Sequence, residues 1–428
     1  WRYQGSSKFH PETRWGFFPG VSLAYRISEE KFWTDSKIHN LIDDLKLRTS
    51  YGKTGNDLIP PYQFFSLYGK SIFSFVTGDG TYNPIYYEAL AGNAKAQWEE
   101  ADQYNIGFDL LMLDSRLSIT TDYFNNQRSK ILISQTASVP DMTGASGILP
   151  KINLGKVRNY GFDFEATWHD QVGKLFYSIG LNLMNAQNKV LFFDEAEGSL
   201  AWQKQTGYPM ESGLYYISKG IFHNQAEIDA YPHMANARPG DVIFEDVSGD
   251  GKIDGDDMKR IYKNVVPTWT GGLSLSAKYK GFDLSALVQG QAGAVRYTQY
   301  TGSAGGQNYF KTFYDNRWTE QNTGSDWPRT FNRNDEYWVS SSNPNTFWLR
   351  KTDFVRLKNI ELGYTLPETL SQRLRLSDIR LFVGGMNLLT WTPDMVDFDP
   401  ELEAKGDGFA GQGYPLQRVI NTGVTVKF

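Results

Sequence analysis

The densest run of potential ligand atoms in the chain is EDVSGDGKIDGDD, residues 245–257. Counted as a calcium loop of the 12-residue kind, residues 246–257 place Asp246, Ser248 and Asp250 at its first, third and fifth positions. The Lys252 carbonyl falls at the seventh, Asp254 at the ninth and Asp257 at the twelfth. Oxygen donors at alternate positions can converge on a hard cation, and Gly251 stands where such a loop turns sharply. Ile253 would tie the loop to packed structure. The last ligand is Asp rather than Glu, so the affinity expected is that of extracellular modules, on the order of 10⁻⁴–10⁻³ M. The same residues could also close as Asx turns through their own hydrogen bonds. Flanking helices of the EF-hand type are not evident, so the spacing predicts a structural Ca2+ clip rather than a switch.

Other chemistry is sparse. Gly52-Lys53-Thr54 and Gly69-Lys70-Ser71 imitate the end of a phosphate loop, but the preceding glycine that loop requires is replaced by Leu47 and Phe64. His10, His39, His169, His223 and His233 show no metal spacing. Cysteine is absent, which removes disulfides, thiolate metal sites and cysteine nucleophiles. Glu99-Glu100 could be read as a carboxylate pair for glycoside hydrolysis, although loop acids are usually solvated. No catalytic site emerges, and a net charge of −5 offers no basic stripe for nucleic acid.

The elements that must carry these residues are read from hydrophobic period. In 157–169, Tyr160, Phe162, Phe164, Ala166 and Trp168 alternate with Asn159, Gly161, Asp163, Glu165 and Thr167. Such alternation predicts strands. Eleven segments follow it: 15–27, 43–54, 102–113, 116–128, 157–169, 175–186, 268–279, 282–293, 352–365, 378–391 and 417–428. These are long for globular strands, which average about five or six residues, and suit tilted strands crossing a bilayer, which need about 9–11. The chain holds 25 Tyr, 27 Phe and 12 Trp but no apolar run that could form a membrane helix. Candidates for an aromatic girdle near strand ends are Trp15, Phe17, Tyr25, Tyr104, Tyr123, Tyr160, Trp168, Tyr279, Phe282, Tyr364 and Trp391.

Short links (114–115, 170–174, 280–281) alternate with long ones (55–101, 129–156, 187–267, 294–351, 392–416), while 28–42 and 366–377 have room for a helical turn. This is the outer-membrane pattern of short periplasmic turns and long extracellular loops. It places the calcium-type loop, 246–257, inside the extracellular connection 187–267. The same parity makes the first and last strands run the same way, so an odd number of strands is expected upstream. No signal peptide is visible, and Trp1-Arg2-Tyr3 reads as the interior of a longer sequence. The fold class expected is all-β: part of an antiparallel transmembrane β-barrel.

At this point the residues show a resemblance. RWGFFPGVSLAYRISEE (14–30), NLGKVRNYGFDFEATW (153–168), PTWTGGLSLSAKYKGFDLSALVQG (267–290), DFVRLKNIELGYTLP (353–367), GGMNLLTWTP (384–393) and FDPEL (398–402), with the end 413–428, resemble SusC/RagA-type TonB-dependent transporters of Bacteroidetes. The resemblance implies a barrel of about 22 strands with a plug in its lumen. It implies a TonB box coupled to TonB-ExbB-ExbD, a SusD-type surface lipoprotein as lid, and import of glycan oligomers or peptides. The plug, the TonB box and the N-terminal half of the barrel are expected outside these 428 residues.

Within that expectation, Asn105, Asp109, Asp122, Asp163, Glu165, Asn182, Lys278, Asp283, Gln289 and Glu361 face inward, since charges toward outer-membrane lipid cost about 2–4 kcal/mol at the midplane. Tyr82, Tyr86, Tyr87, Trp202, Tyr215, Tyr216, Tyr309, Trp327 and Trp338 in the long loops could stack on substrate, pack the loops or meet the lid. The C-terminal VINTGVTVKF ends on an aromatic, as a barrel assembly signal or simply a last strand would. A soluble all-β glycan-binding or hydrolytic protein and a barrel used in secretion stay open as alternatives.

Overall fold

In the computed structural model, residues 77, 79, 81, 136, 140, 145–146, 263–264, 299–309, 332–335, 340–341, 374, 396 and 402–414 are left undescribed, as are the side chains of 72–76, 82, 83 and 141. Eleven strands form one antiparallel sheet. They are β1 (Gly20–Arg26), β2 (Ile42–Asn56), β3 (Glu99–Met112), β4 (Leu117–Ile133), β5 (Ile152–Val172) and β6 (Leu175–Phe192). Then follow β7 (Trp269–Tyr279), β8 (Phe282–Ala292), β9 (Phe354–Thr365), β10 (Asp378–Trp391) and β11 (Val419–Lys427). Each pairs with its sequence neighbours and with nothing else, the order expected of an up-and-down wall.

Because side chains alternate across a strand, register decides whether eleven alternating segments make two clean faces. It does. One register row runs Leu23, Thr49, Ile106, Tyr123, Phe162 across β1 to β5. Another runs Ala166, Leu181, Leu273, Val288 across β5 to β8. A third runs Tyr279, Phe282, Tyr364, Leu381, Val424 to the last strand. All ten residues expected to face inward lie on the opposite, polar face. Register places Asp122 between Gly107 and Asp163, Asn182 opposite Glu165, and Lys278 opposite Asp283.

One end of the sheet carries tight turns. Leu113, Asp114 and Ser115 all adopt positive φ between β3 and β4. Lys280 (φ 47°) and Gly281 (φ 87°) join β7 to β8, and a Cβ on Gly281 would meet the Thr365 carbonyl oxygen at 2.8 Å. Turns with two positive-φ residues match the strand twist, which is why a two-residue link suffices there. Gly173 (φ 61°) and Lys174 likewise join β5 to β6, and the two other links at this end hold short helical turns, Ile27–Glu29, Lys31–Thr34 and Lys37–Asn40 before β2 and Glu368–Arg373 before β10. All five long connections leave from the other end.

The expected strand 15–27 is two strands. Pro19 has no N–H for a ladder and fixes its own φ, so the chain breaks there. Trp15–Phe18 pairs with Arg2–Gly5 in a separate hairpin, and only Gly20–Arg26 enters the sheet. Trp15 stacks on Tyr3 at 5.0 Å in that hairpin, so it and Phe17 lie outside the eleven-stranded sheet. Long loops also contain structure that alternation did not expose, including a hairpin of Leu67–Val76 and Tyr82–Leu90. Among the described residues no helix is long and apolar enough to cross a membrane, which says nothing of a barrel.

Candidate functional site

On the polar face two arginines are held by carboxylates of neighbouring strands. Arg48 on β2 donates to Asp122 on β4 at 2.9 and 3.0 Å and reaches Asp109 on β3 at 2.9 Å. Arg380 on β10 donates through Nε to Asp283 at 2.9 Å and through a terminal amine to Glu361 at 2.7 Å. A planar guanidinium with a fork of donors suits two carboxylates at once. Between these pairs, Ser178, Ser274, Ser276, Ser285 and Asn359 border a recess of about 330 Å³ in the wall.

Near the long-loop end, Arg356 is the charge that alternation missed. It is 2% exposed and lies within the wall, where β9 bulges against its neighbours. Its guanidinium holds Asp399 at 2.8 Å and Glu401, while Lys358 takes Glu401 at 3.1 Å. Thus the segment after β10 is strapped to the wall by its acids, the D and E of FDPEL. Burial pushes the Asp399 carboxyl up, but Arg356 and the Glu401 N–H outweigh it and hold it below the usual carboxylate range.

Over the same end, the connections after β6 and β8 fold together. Leu214–Tyr216 pairs with Met258–Arg260, Ser218–Ile221 with Val242–Phe244, and Val295–Tyr297 with Leu349–Lys351. Tyr216, Ile221, Val242 and Phe244 from the first connection and Phe313, Phe331, Trp338 and Trp348 from the second fill one core. Within it Asp241, fully buried, accepts from Arg329 at 2.7 Å and from the Trp338 indole at 3.0 Å. Burial raises the Asp241 carboxyl above its ordinary range by more than Arg329 lowers it. This cap and the wall below it form the site.

The loop aromatics divide accordingly. Tyr216 and Trp338 are core residues and Trp327 packs against them. Tyr215 stacks on Tyr297 at 6.2 Å, and the Trp202 indole donates to the Asp256 carbonyl at 2.8 Å. Tyr86 and Tyr87 stand exposed on the hairpin after β2. Tyr309 and the side chain of Tyr82 lie outside the described residues.

The loop at 246–257 closes on its own amides. Asp246 accepts from Gly249 and Gly251 N–H at 2.6 and 3.0 Å, and Asp250 from Lys252 at 2.9 Å. Asp254 accepts from Asp256, and the fully buried Asp257 accepts from Val247, Ser248 and Asp254 at 2.9–3.0 Å. Gly251 takes the left-handed turn (φ 82°) and Ile253 packs against the cap core. Ser248 Oγ donates to Asp246 at 3.3 Å. The donors have the spacing of a cation loop but are turned to the backbone. Among the described residues no three His, Cys, Asp or Glu side chains stand close enough to share a metal.

The remaining candidates stay apart. Gly52-Lys53-Thr54 and Gly69-Lys70-Ser71 lie on strands, so neither forms a phosphate loop. Glu99 and Glu100 project to opposite faces of β3, the first paired with Arg128 at 3.1 Å, the second with Lys53 at 3.1 Å and Lys130 at 2.5 Å. His223 meets only Glu227, at 3.3 Å. No catalytic constellation forms among the described residues.

Known proteins share this arrangement. A family model described as TonB dependent receptor-like, beta-barrel matches residues 1–388. The chain is 30% identical to TonB-dependent receptor P3 of Formosa agariphila, over all of this chain and 43% of that protein. It is 25% identical to TonB-dependent receptor SusC of Bacteroides thetaiotaomicron, over all of this chain and 41% of that protein. A solved structure of the RagAB peptide transporter superposes with a TM-score of 0.74 at 25% identity, over 99% of this chain and 45% of that one. The chain thus spans less than half the length of these relatives. Two faces held in register over eleven strands, turns at one end and folded loops at the other are the body of such a receptor, and the chain belongs to the TonB-dependent receptor-like β-barrel family, whose members are outer-membrane receptors and transporters.

Proposed function

We propose that this chain is the C-terminal wall and extracellular cap of an importer that carries a glycan oligomer or peptide across the bacterial outer membrane. The observation that carries the reading is the apolar face that runs across eleven strands, opposite a polar face whose arginines Arg48 and Arg380 are held by carboxylates. Lipid would cover the first and the second would line the path. RagAB, a peptide transporter by its title, supports a peptide cargo, and SusC supports the assignment to active uptake. A SusD-type lipoprotein over the cap, a plug within the wall and TonB-ExbB-ExbD below would complete the machine. The test is uptake by cells carrying or lacking the full-length gene, given fluorescent oligopeptides and oligosaccharides of matched size. Energy-dependent accumulation of one class in carriers alone is expected; equal accumulation in both strains would overturn the reading.

Calcium at Asp246, Ser248, Asp250, Lys252, Asp254 and Asp257 is proposed as a structural clip, and the donor spacing and Gly251 support it. Binding would require those carboxylates to exchange amides for the ion. Titration of the purified full-length protein should saturate on the order of 10⁻⁴–10⁻³ M calcium. Asp246→Asn should abolish that saturation while leaving the cap folded. Heat of binding unchanged by the substitution would remove the site.

A further inference from the structure

The apolar face ends abruptly toward the long loops, and the residues beyond it form a pattern that the import reading leaves unused. One register row there is aromatic and amide: Tyr51, Tyr104, Asn125, Tyr160 and Gln187 on β2 to β6. The next row outward is Lys53, Asp102, Gln127, Arg158 and Lys189. Lys53 is held by Glu100 and Asp102 at 3.1 and 3.6 Å. Arg158 and Lys189 are direct cross-strand partners, and Lys156 lies two residues along β5 on the same face. Like charges directly opposite each other repel, so the arrangement costs stability unless an anion sits between them. Yet no acid among the described residues pairs with these three, whereas Arg48, Arg356 and Arg380 are each neutralised within the protein. Arg158 is nevertheless held in place: its Nε donates to Asn125 at 2.8 Å, and its guanidinium lies 4.7 Å from the centre of the Tyr160 ring. That leaves its terminal amines for an external acceptor.

The geometry points to a binding site for the phosphate of an anionic membrane lipid, made by Lys156, Arg158 and Lys189. Its acyl chains lie against Phe162, Tyr123 and Ile106 on the apolar face below. Beside those residues the wall is already grooved, with Val21, Leu23, Thr49 and Tyr51 bordering a hollow of about 440 Å³ that reaches Tyr123 and Asn125. An arginine presented with its fork of donors open suits a phosphate oxygen pair, and the flanking lysines add charge without demanding geometry. The inference rests on the reading that the apolar face meets lipid.

The test uses the full-length protein, extracted in detergent, stripped of lipid and weighed intact by native mass spectrometry. Probes are phosphatidic acid, phosphatidylcholine with the same chains, and inorganic phosphate. Wild type and Lys278→Gln, which loses a cation from the polar face, should retain phosphatidic acid. The triple variant Lys156→Gln, Arg158→Gln, Lys189→Gln should retain about tenfold less. Lys189→Glu, which supplies Arg158 with a carboxylate in place, should lose retention as well and keeps the test decisive if the triple variant does not fold. Equal retention by these variants, or equal retention of phosphatidylcholine, would overturn the site. Inorganic phosphate binding as tightly as the lipid would overturn its lipid character. A protein that stays dispersed without detergent would instead refute the membrane reading before any lipid was added.

Discussion

Single residues here carry their largest consequences where charge is buried. Arg356 anchors two acids at a nearly solvent-free point of the wall. Removing one member of such a cluster leaves uncompensated charge, at a cost of about 3–5 kcal/mol. Arg356→Ala should therefore lower the unfolding midpoint and open the segment after Trp391 to protease; an unchanged cleavage pattern would show that the strap is not what holds it. Arg356→Lys should rescue little, because an ammonium cannot present the same fork. The pH dependence follows from the sign of the Asp399 shift. Its folded carboxyl lies below the ordinary value, so its contribution is complete above the unfolded pKa and is lost as pH falls through the folded one. Protease resistance of this segment should stay flat from neutral pH into the mildly acidic range and drop only below the usual carboxylate values. Loss already near neutral pH would contradict the assignment.

At the scale of elements, the alternating strands make a sharp claim about sides. Leu284 and Ser276 sit on neighbouring strands, β8 and β7, but on opposite faces of the same hairpin. Leu284→Arg should cost about 2–4 kcal/mol in a lipid bilayer, while Ser276→Arg should cost far less because that face is polar. Urea midpoints of the full-length protein in liposomes would show the asymmetry, and equal losses would mean the faces are misassigned. Strand positions were readable in the residues because period-two hydrophobicity is a local property that burial on one side imposes on each strand separately. The break at Pro19 was readable too, had the missing N–H been weighed against the alternation around it. Arg356 was not, because the bulge that shifts its register depends on the strand beside it.

For the molecule as a whole, the cap is the decisive unit. Two connections separated by β7 and β8 share one core around Trp338 and Trp348. Trp338→Ala should destabilise the cap by about 3–5 kcal/mol and release both connections together. Hydrogen exchange on the full-length protein should then show 214–260 and 310–351 losing protection in step while β7 and β8 keep theirs. Loss confined to one connection would mean that the core is not shared. What the spacing of near neighbours determined by itself was the number of wall strands, the two faces and the parity of turns and loops, while the family was legible only through the resemblance carried by whole motifs such as NLGKVRNYGFDFEATW. Only the tertiary structure decided which loops pack together, that the loop tryptophan Trp338 is core rather than contact surface, and where the FDPEL acids bind. It alone set Arg158 beside Lys189 with no acid between them. Those relations join positions tens of residues apart through register and loop closure, and neither leaves a periodic trace along the chain.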